Sequence, residues 1–547
     1  MKKLIYIAII TGITAGACKS DFLDLKPPSF SQDNLFSDLA LSEAFINSLY
    51  ENTPNDVFNY PLTLNAASDE AKTTFATANA NTITQGNYGP ETAILNNWDV
   101  CYRSIRSANM FLDNGHKLPD GREKNRLMGE AYFMRAYYYH ILLKQYGGKG
   151  LGLPLIRHAQ QLTEEIYVNR STYDACADSI VSDLDKATAL LPLPAVVTAG
   201  RPSSGAAMAY KARVLLYAAS PMNNSTNDKT KWKRAADAAK ALIDANYYSL
   251  HDDYTTLFLE NNKENIFYKL YSRDGEGGSL LDYNVQPTTT GGRGSAAPTQ
   301  EAVDAYEVVT ENAGVKTAVP FNWSNPAHAA APYANRDPRF YASVLYNGAE
   351  WSDGSGGIHI MDLTDEGADR TTQPENATKT GYYLRKFMDI GYFPRYRSMG
   401  DIFTYTPTAE MRYAEVLLNY AEACLQLGQE EEARKYVNLV RARKSVSMPP
   451  IPAGQLTWNK YMQERRVELA FEQHRFWDVK RWNLAESTLK QIQGISIKKV
   501  NGGLVYAPVK VENRVYTPKM DIFPIPQAEI DKYRSVIPDF KQNPGWE

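Results

Sequence analysis

The stretch 128–146 constrains the fold more than any other part of the chain. Ala131, Tyr132, Phe133, Ala136, Tyr137, Tyr138, Ile141, Leu142 and Leu143 leave it apolar on nearly every side. A helix that is hydrophobic all round must be enclosed by other elements. Gly147-Gly148 stops it. The chain supplies the neighbours. Stretch 171–191 reads as a helix closed by Pro192 and Pro194. Stretch 205–220 carries Ala206, Ala207, Ala209, Ala212, Ala218 and Ala219, which allow close packing, and Pro221 follows it. Stretch 232–245 is the next helix. Stretches 412–426 and 430–444 flank the turn Leu427-Gly428-Gln429 and make a helical hairpin. The fold class expected is mostly α.

Ala421, Leu427-Gly428 and Ala433 sit in that hairpin as in the helix-turn-helix unit of tetratricopeptide repeats. Stretches 205–220 and 232–245 read as a second, degenerate copy, and 93–114 with 125–146 as a third. One such hairpin cannot bury its own apolar face, so several must stack. The middle, 272–401, differs: Gly, Pro, Asn, Asp and Thr dominate, as in Gly275-Glu276-Gly277-Gly278 and Gly291-Gly292-Arg293-Gly294. These are loop signals with a few short strands. Long loops on a rigid scaffold are where binding residues concentrate. The tail after Glu486 reads as short strands and loops.

The N-terminus carries an address. Lys2 and Lys3 precede a short apolar run, 4–13, and Ala15-Gly16-Ala17 stand ahead of Cys18. This is a secretory signal, 1–17, too short to span a bilayer, which takes roughly 20 apolar residues. Small residues directly before a cysteine resemble the bacterial lipobox, which predicts a lipid anchor on Cys18. Several acyl chains hold a protein on a membrane where one chain is marginal. An ordinary signal with an incidental cysteine is the competing reading. Cys101, Cys176 and Cys424 lie in apolar helical patterns and read as buried thiols, with a disulfide open in an oxidising compartment. The net charge of −3 argues against nucleic acid as a partner, since polyanion binding needs a basic surface. The 36 tyrosines and 8 tryptophans suit either recognition surfaces or tight helix packing.

No nucleotide, zinc, EF-hand or nucleophile-elbow motif appears among the 547 residues. Glu464, Glu468 and Glu472 share one helix face. They could form an acid/base pair for glycoside hydrolysis. Arg465, Arg466, Arg475 and Arg481 stand close by. Such cations lower carboxyl pKa values, whereas a general acid needs one raised, so a structural ion-pair network is the expectation. Glu130 and Arg135, inside the buried helix, read as paired charges. No cofactor is expected; the loop acids Asp362, Asp365 and Asp369 leave structural calcium as the one metal to consider.

The motifs in their order resemble the SusD/RagB lipoproteins of Bacteroidota. Gly129-Glu130-Ala131-Tyr132-Phe133-Met134-Arg135-Ala136 runs on to Tyr146-Gly147-Gly148 and Pro154-Leu155. Lys211-Ala212-Arg213-Val214-Leu215-Leu216, Asn335-Arg336-Asp337-Pro338-Arg339 and Arg412-Tyr413-Ala414-Glu415 follow. Then come Glu464-Arg465-Arg466-Val467-Glu468-Leu469, His474-Arg475-Phe476-Trp477-Asp478, Phe523-Pro524-Ile525-Pro526 and Gln542-Asn543-Pro544-Gly545-Trp546. The resemblance implies about four tetratricopeptide-like hairpins in one compact unit, an N-terminal region 18–265 and a C-terminal region 266–547 holding the insertion 272–401. It implies a non-enzymatic outer-membrane lipoprotein, facing the cell surface, that binds glycan and caps a SusC-like TonB-dependent transporter. A peptide-binding member and a purely structural cap are the alternatives. A glycoside hydrolase would need two carboxylates facing one cleft. The family's ligand site is built from loops before the first hairpin and from the middle insertion. Positions there suited to stacking on sugar rings and bonding their hydroxyls are Asp69, Glu70, Tyr88, Trp98, Tyr271, Tyr283, Trp323 and Trp351. Trp98 opens a run with Tyr102, Ile105 and Asn109 that reads equally well as core.

Overall fold

The computed structural model describes residues 32–51, 53, 63–161, 163–271, 285–353, 357–388, 390 and 405–547. Cys18 and Tyr283 lie outside them. The scaffold consists of helices α1 (Leu39–Glu51), α2 (Trp98–Asn114), α3 (Arg122–Tyr146), α4 (Tyr173–Leu190), α5 (Ser204–Ala219) and α6 (Lys229–Ala245). Next come a short α7 (Gln300–Asp304), then α8 (Tyr413–Gln426), α9 (Glu430–Arg441), α10 (Trp458–Glu468) and α11 (His474–Arg481). From α2 to α6 each helix lies against the next, α6 lies against α8, and α8 against α9. The array therefore continues across the insertion as if it were absent. Side-chain caps set several starts: Thr172 accepts from the N–H of Ala175, Ser203 from Ala206, Asp228 from Thr230 and Thr457 from Lys460.

Helix α3 is the hub the sequence required: 17 of its 25 residues are buried. Its buried charges are matched. Arg135 makes a two-pronged bond to Asp183, at 2.8 and 2.7 Å. Glu130 takes bonds from Arg126, Arg201 and Tyr50. Gly129 lets the helix touch its neighbour, because a Cβ there would stand 2.9 Å from Leu191 Cγ. Cys101, Cys176 and Cys424 are buried, and no disulfide joins them.

The insertion leaves and returns through a neck, where β2 (Asn265–Lys269) pairs antiparallel with β6 (Thr408–Arg412). A two-residue ladder joins the N-terminal loop to the insertion, β1 (Ala71–Lys72) pairing with β3 (Ala297–Pro298). Hairpin β4 (Val308–Asn312) and β5 (Val315–Val319) projects from the insertion. Two expectations need correcting. The middle is not merely loop: Tyr306, Phe340, Trp351, Tyr382, Tyr383 and Leu384 form a second core with Val467, Phe471, Ile495 and Ile497. The tail is not short-stranded: β7 (Gln491–Val500) and β8 (Gly503–Asn513) make a long hairpin. Ile492, Ile495 and Ile497 bury one stretch of β7, while β8 stays largely solvent-facing, so its apolar signal is diluted.

Under the second core lies a knot of charge. Glu468 accepts from Arg339, Arg412 and Arg443 at 2.8–3.0 Å, and Glu464 from Arg339 and Arg441 at 2.7 and 2.6 Å. Glu472 takes Arg412 and Lys386, and Glu264 takes Arg412 and Arg443. Burial alone would raise the Glu468 carboxyl, but Arg443, Arg412 and Arg339 outweigh it and hold it far below the usual range. The three glutamates of α10 and its C-terminal turn are structural, and no raised acid is among them.

Candidate functional site: the loop face around Trp323

Helix α7 brings the two loop regions together. Thr299 caps it, accepting from the Ala302 N–H, and its hydroxyl donates to the Asp69 carbonyl at 2.6 Å. The Thr299 N–H donates to the Glu70 carbonyl at 2.9 Å. At the other end of α7, Asp304 Oδ2 accepts the Trp323 indole N–H at 3.1 Å, and its Oδ1 accepts from Gln300 at 2.7 Å. Burial pushes the Asp304 carboxyl up, against the pull of those two donors.

Trp323 is thus held by its edge while it stays half-buried. Phe321, also half-buried, meets it edge-on with ring centroids 5.1 Å apart. Phe321 stacks on His328 at 5.3 Å, and the Arg336 guanidinium lies 4.3 Å from its centroid. Buried Tyr333 carries half-buried Tyr346 and Tyr506 at 4.8 and 5.5 Å. On the N-terminal side, half-buried Phe75 lies under the exposed Arg293 guanidinium, and Thr74 Oγ1 donates to the Arg293 carbonyl at 2.8 Å. Rigid rings bounded by hydroxyls, amides and guanidinium groups are what stacking and hydroxyl bonding require.

Of the positions singled out in the sequence, Trp323 stands on this face. Tyr271 follows β2, half-buried, with Lys269 Nζ 5.3 Å from its ring centroid. Tyr283 and Cys18 lie outside the described residues. The fold buries five others, Asp69, Glu70, Tyr88, Trp98 and Trp351. Asp69 is 3% exposed and accepts from Arg475 at 2.8 and 3.0 Å and from Arg466 at 2.9 Å. Burial would raise its carboxyl, but Arg466 and Arg475 hold it at about 2. Glu70 is buried, with Oε1 accepting from the Phe471 N–H and Oε2 left without a partner. Burial pushes its carboxyl up to about 8. Asn65, just upstream, donates to the Phe471 carbonyl and accepts from the Gln473 N–H. Tyr88 is buried against Phe523 and Trp546, at 5.6 and 5.2 Å. Trp98 is buried between Tyr102 and Tyr146. Trp351 is fully buried in the second core. The partners of Asp69, Glu70 and Tyr88 arrive from about 400 or more residues downstream; Trp98 packs on Tyr102 and Tyr146, and Trp351 lies in the second core with the Arg385 guanidinium 5.9 Å from its ring.

Phe75, Arg293, Phe321, Tyr346 and Tyr506 were not singled out. A lone Phe75 inside Thr73-Thr74-Phe75-Ala76-Thr77 was the available signal: an aromatic with no apolar period to join. The loop acids turn to protein donors. Asp369 accepts from His359 and the Asp362 N–H, Asp365 from Arg370 and Ser496, and Asp362 from Thr364. Among the described residues no group of three or more His, Cys, Asp or Glu side chains converges as metal ligands.

The profile described as the SusD family matches residues 240–546, more than half of the chain. The chain belongs to the SusD family. A second profile, described as starch-binding associating with outer membrane, matches residues 21–216. SusD-like protein P2 of Formosa agariphila is 26% identical over 571 aligned positions, covering 100% of both chains. Among solved SusD family structures, a SusD-like protein from Bacteroides fragilis is 27% identical with a TM-score of 0.77, covering 94% of this chain and 98% of its own. A SusD-like carbohydrate binding protein from the same organism is 26% identical with a TM-score of 0.75, covering 91% and 99%.

Proposed function

We propose that the protein is a non-catalytic lipoprotein of the outer membrane, anchored through Cys18, that captures glycan on the loop face around Trp323. The observation that carries this reading is the edge-anchored, half-exposed indole of Trp323 beside Phe321, in a family member whose relatives include a carbohydrate binding protein. The profile matching residues 21–216 supports both starch-like ligands and membrane association. Capture here is stacking plus hydroxyl bonding on a face fixed before the ligand arrives. Delivery requires release, so affinity should be modest. The recipient is a SusC-like TonB-dependent transporter beneath the protein.

The test is calorimetric titration of the purified protein with maltoheptaose, laminarin and a panel of host and microbial polysaccharides. Heat from one glycan class, reduced at least tenfold in affinity by Trp323→Ala, is the expected result. Heat unaffected by Trp323→Ala removes the site, and silence across the panel in folded protein removes the glycan reading. Co-purification with the outer-membrane fraction, lost in Cys18→Ala, checks the anchor.

A further inference from the structure

Away from the loop face, a cleft of about 760 Å³ opens between the segment leading into α5, the end of α6 and the segment leading into β2. Its volume falls within the range of ligand pockets, roughly 300–1,000 Å³. Its chemistry is distinctive. Four side-chain amides line it: Asn246, Asn261, Asn262 and Asn265. Ser203 and Ser249 add hydroxyls, and Tyr247, Tyr248 and Tyr268 add rings. Leu193, Pro194, Ala195, Val197 and Ile266 supply apolar wall. No carboxylate lines the cleft; Arg201 and Lys263 are its charged groups, and Arg201 is already bonded to Glu130 and Asn47.

The fold spends Asn262 on the chain, its Nδ2 donating to the Leu257 and Glu260 carbonyls and its Oδ1 accepting from the Glu264 N–H, and leaves capacity open on other groups. Asn246 ends α6 in the left-handed conformation, φ 53°, its backbone N–H donating to the Ile243 carbonyl at 3.1 Å. That geometry sets Tyr247 outward, 39% exposed, while Tyr248 turns inward and shares a hydrogen bond with Ser203 at 3.0 Å. Asn261 Nδ2 donates to the Tyr268 hydroxyl at 3.0 Å, which fixes that ring at the rim. Asn265, 8% exposed, also lines the cleft. An amide offers one acceptor and a donor side by side, the complement of a vicinal hydroxyl pair, and an exposed phenol ring offers a face to sugar C–H groups.

We infer that this cleft is a second carbohydrate site, one that reads the hydroxyls of an oligosaccharide. The inference rests on the glycan-binding reading above and extends it. Its recognition groups are amides and rings, which read hydroxyls, with the exposed Lys263 as a cation at the rim. The two sites share no lining residue. Long polymers that reach both would dissociate more slowly than short ones, because the second contact is intramolecular.

The experiment titrates maltoheptaose, and in parallel laminariheptaose, into wild type, Trp323→Ala, and Tyr247→Ala combined with Asn261→Ala, with tryptophan emission followed alongside heat. Tyr247 and Asn261 are exposed, so the double variant should keep the wild-type melting curve, which is measured first. Expected is a stoichiometry of two with one of the sugars, falling to one in each variant, with the Trp323 emission change retained in the double variant. Heat that persists in Trp323→Ala and vanishes in the double variant also supports the cleft, while removing the loop face. Heat abolished by Trp323→Ala and untouched in the double variant overturns the cleft and leaves the glycan reading standing. No heat with either sugar in wild type, when the wider polysaccharide panel does give heat, overturns the cleft alone. Silence with every glycan overturns both.

Discussion

The charge knot beneath the second core and the loop face around Trp323 are both rich in the side chains that bind and catalyse, and they use them in opposite ways. In the knot, each glutamate faces two or three guanidinium or ammonium groups, and Glu264, Glu464 and Glu468 are buried with them. Their bonding capacity is turned inward, and removing one partner leaves uncompensated charge. In the loop regions that α7 joins, Phe75, Arg293, Phe321, Trp323, Tyr346 and Tyr506 keep part of each side chain toward solvent. The lesson is that a functional residue here is marked by capacity left open, not by chemical type.

The contrast can be broken most forcefully at Glu468. Glu468→Ala takes one carboxylate from each of Arg339, Arg412 and Arg443 and leaves their buried charge under-compensated, and denaturant unfolding should show a loss of about 3–5 kcal/mol. Glycan affinity of the fraction that remains folded should be unchanged; a change would tie the knot to the site. Glu70 gives a pH-dependent version. Its folded pKa, about 8, lies above the unfolded carboxylate value, so the folded protein holds a proton that the unfolded chain releases. Stability from this group is therefore full below about pH 4 and declines by about 1.4 kcal/mol per pH unit up to about pH 8. Glu70→Gln keeps an acceptor for the Phe471 N–H and cannot ionise. Its melting temperature should match wild type near pH 4.5 and exceed it at pH 8, and equal melting at both would mean that Glu70 is ionised in the folded state.

On the other side of the comparison, Trp323→Ala should weaken glycan binding at least tenfold, about 1.4 kcal/mol. The unfolding midpoint should move far less than in Glu468→Ala, because half-buried Trp323 gives up one hydrogen bond and limited packing. Phe75→Ala is the mildest test. It should change stability by within about 0.5 kcal/mol, as surface substitutions do, while lowering affinity severalfold. Full affinity in Phe75→Ala would confine the site to the Trp323 side of α7.

The helical scaffold was legible because its evidence is local. Stretch 128–146 has no polar face, and the Leu427-Gly428-Gln429 turn stands between two periodic runs. The ion-pair role of Glu464, Glu468 and Glu472 was legible for the same reason, with arginines in adjacent turns. Exposure was not. Trp323 and Trp351 both sit in Gly- and Asn-rich sequence, yet one stays half-buried and the other is sealed beneath residues of the insertion and β7. Asp69 and Glu70 looked like loop acids because the arginines and backbone that claim them lie some 400 positions downstream. The β7–β8 hairpin was missed because only one strand buries an apolar edge.

Those distant claims on residues 65–70 also set a timetable. Asn65, Asp69 and Glu70 are held by residues 466–475, and the Ser68 carbonyl by Arg514. A ribosome, or an export channel, releases the chain from its N-terminus, so this segment emerges early and waits for nearly the whole polypeptide before its contacts exist. The helix array, with its nearest-neighbour packing, has no such wait. Contacts of very long sequence separation are slow to close, so the N-terminal side of the loop face is the last part of the molecule to mature. A newly made molecule would be largely helical before the loops that α7 joins had found their partners.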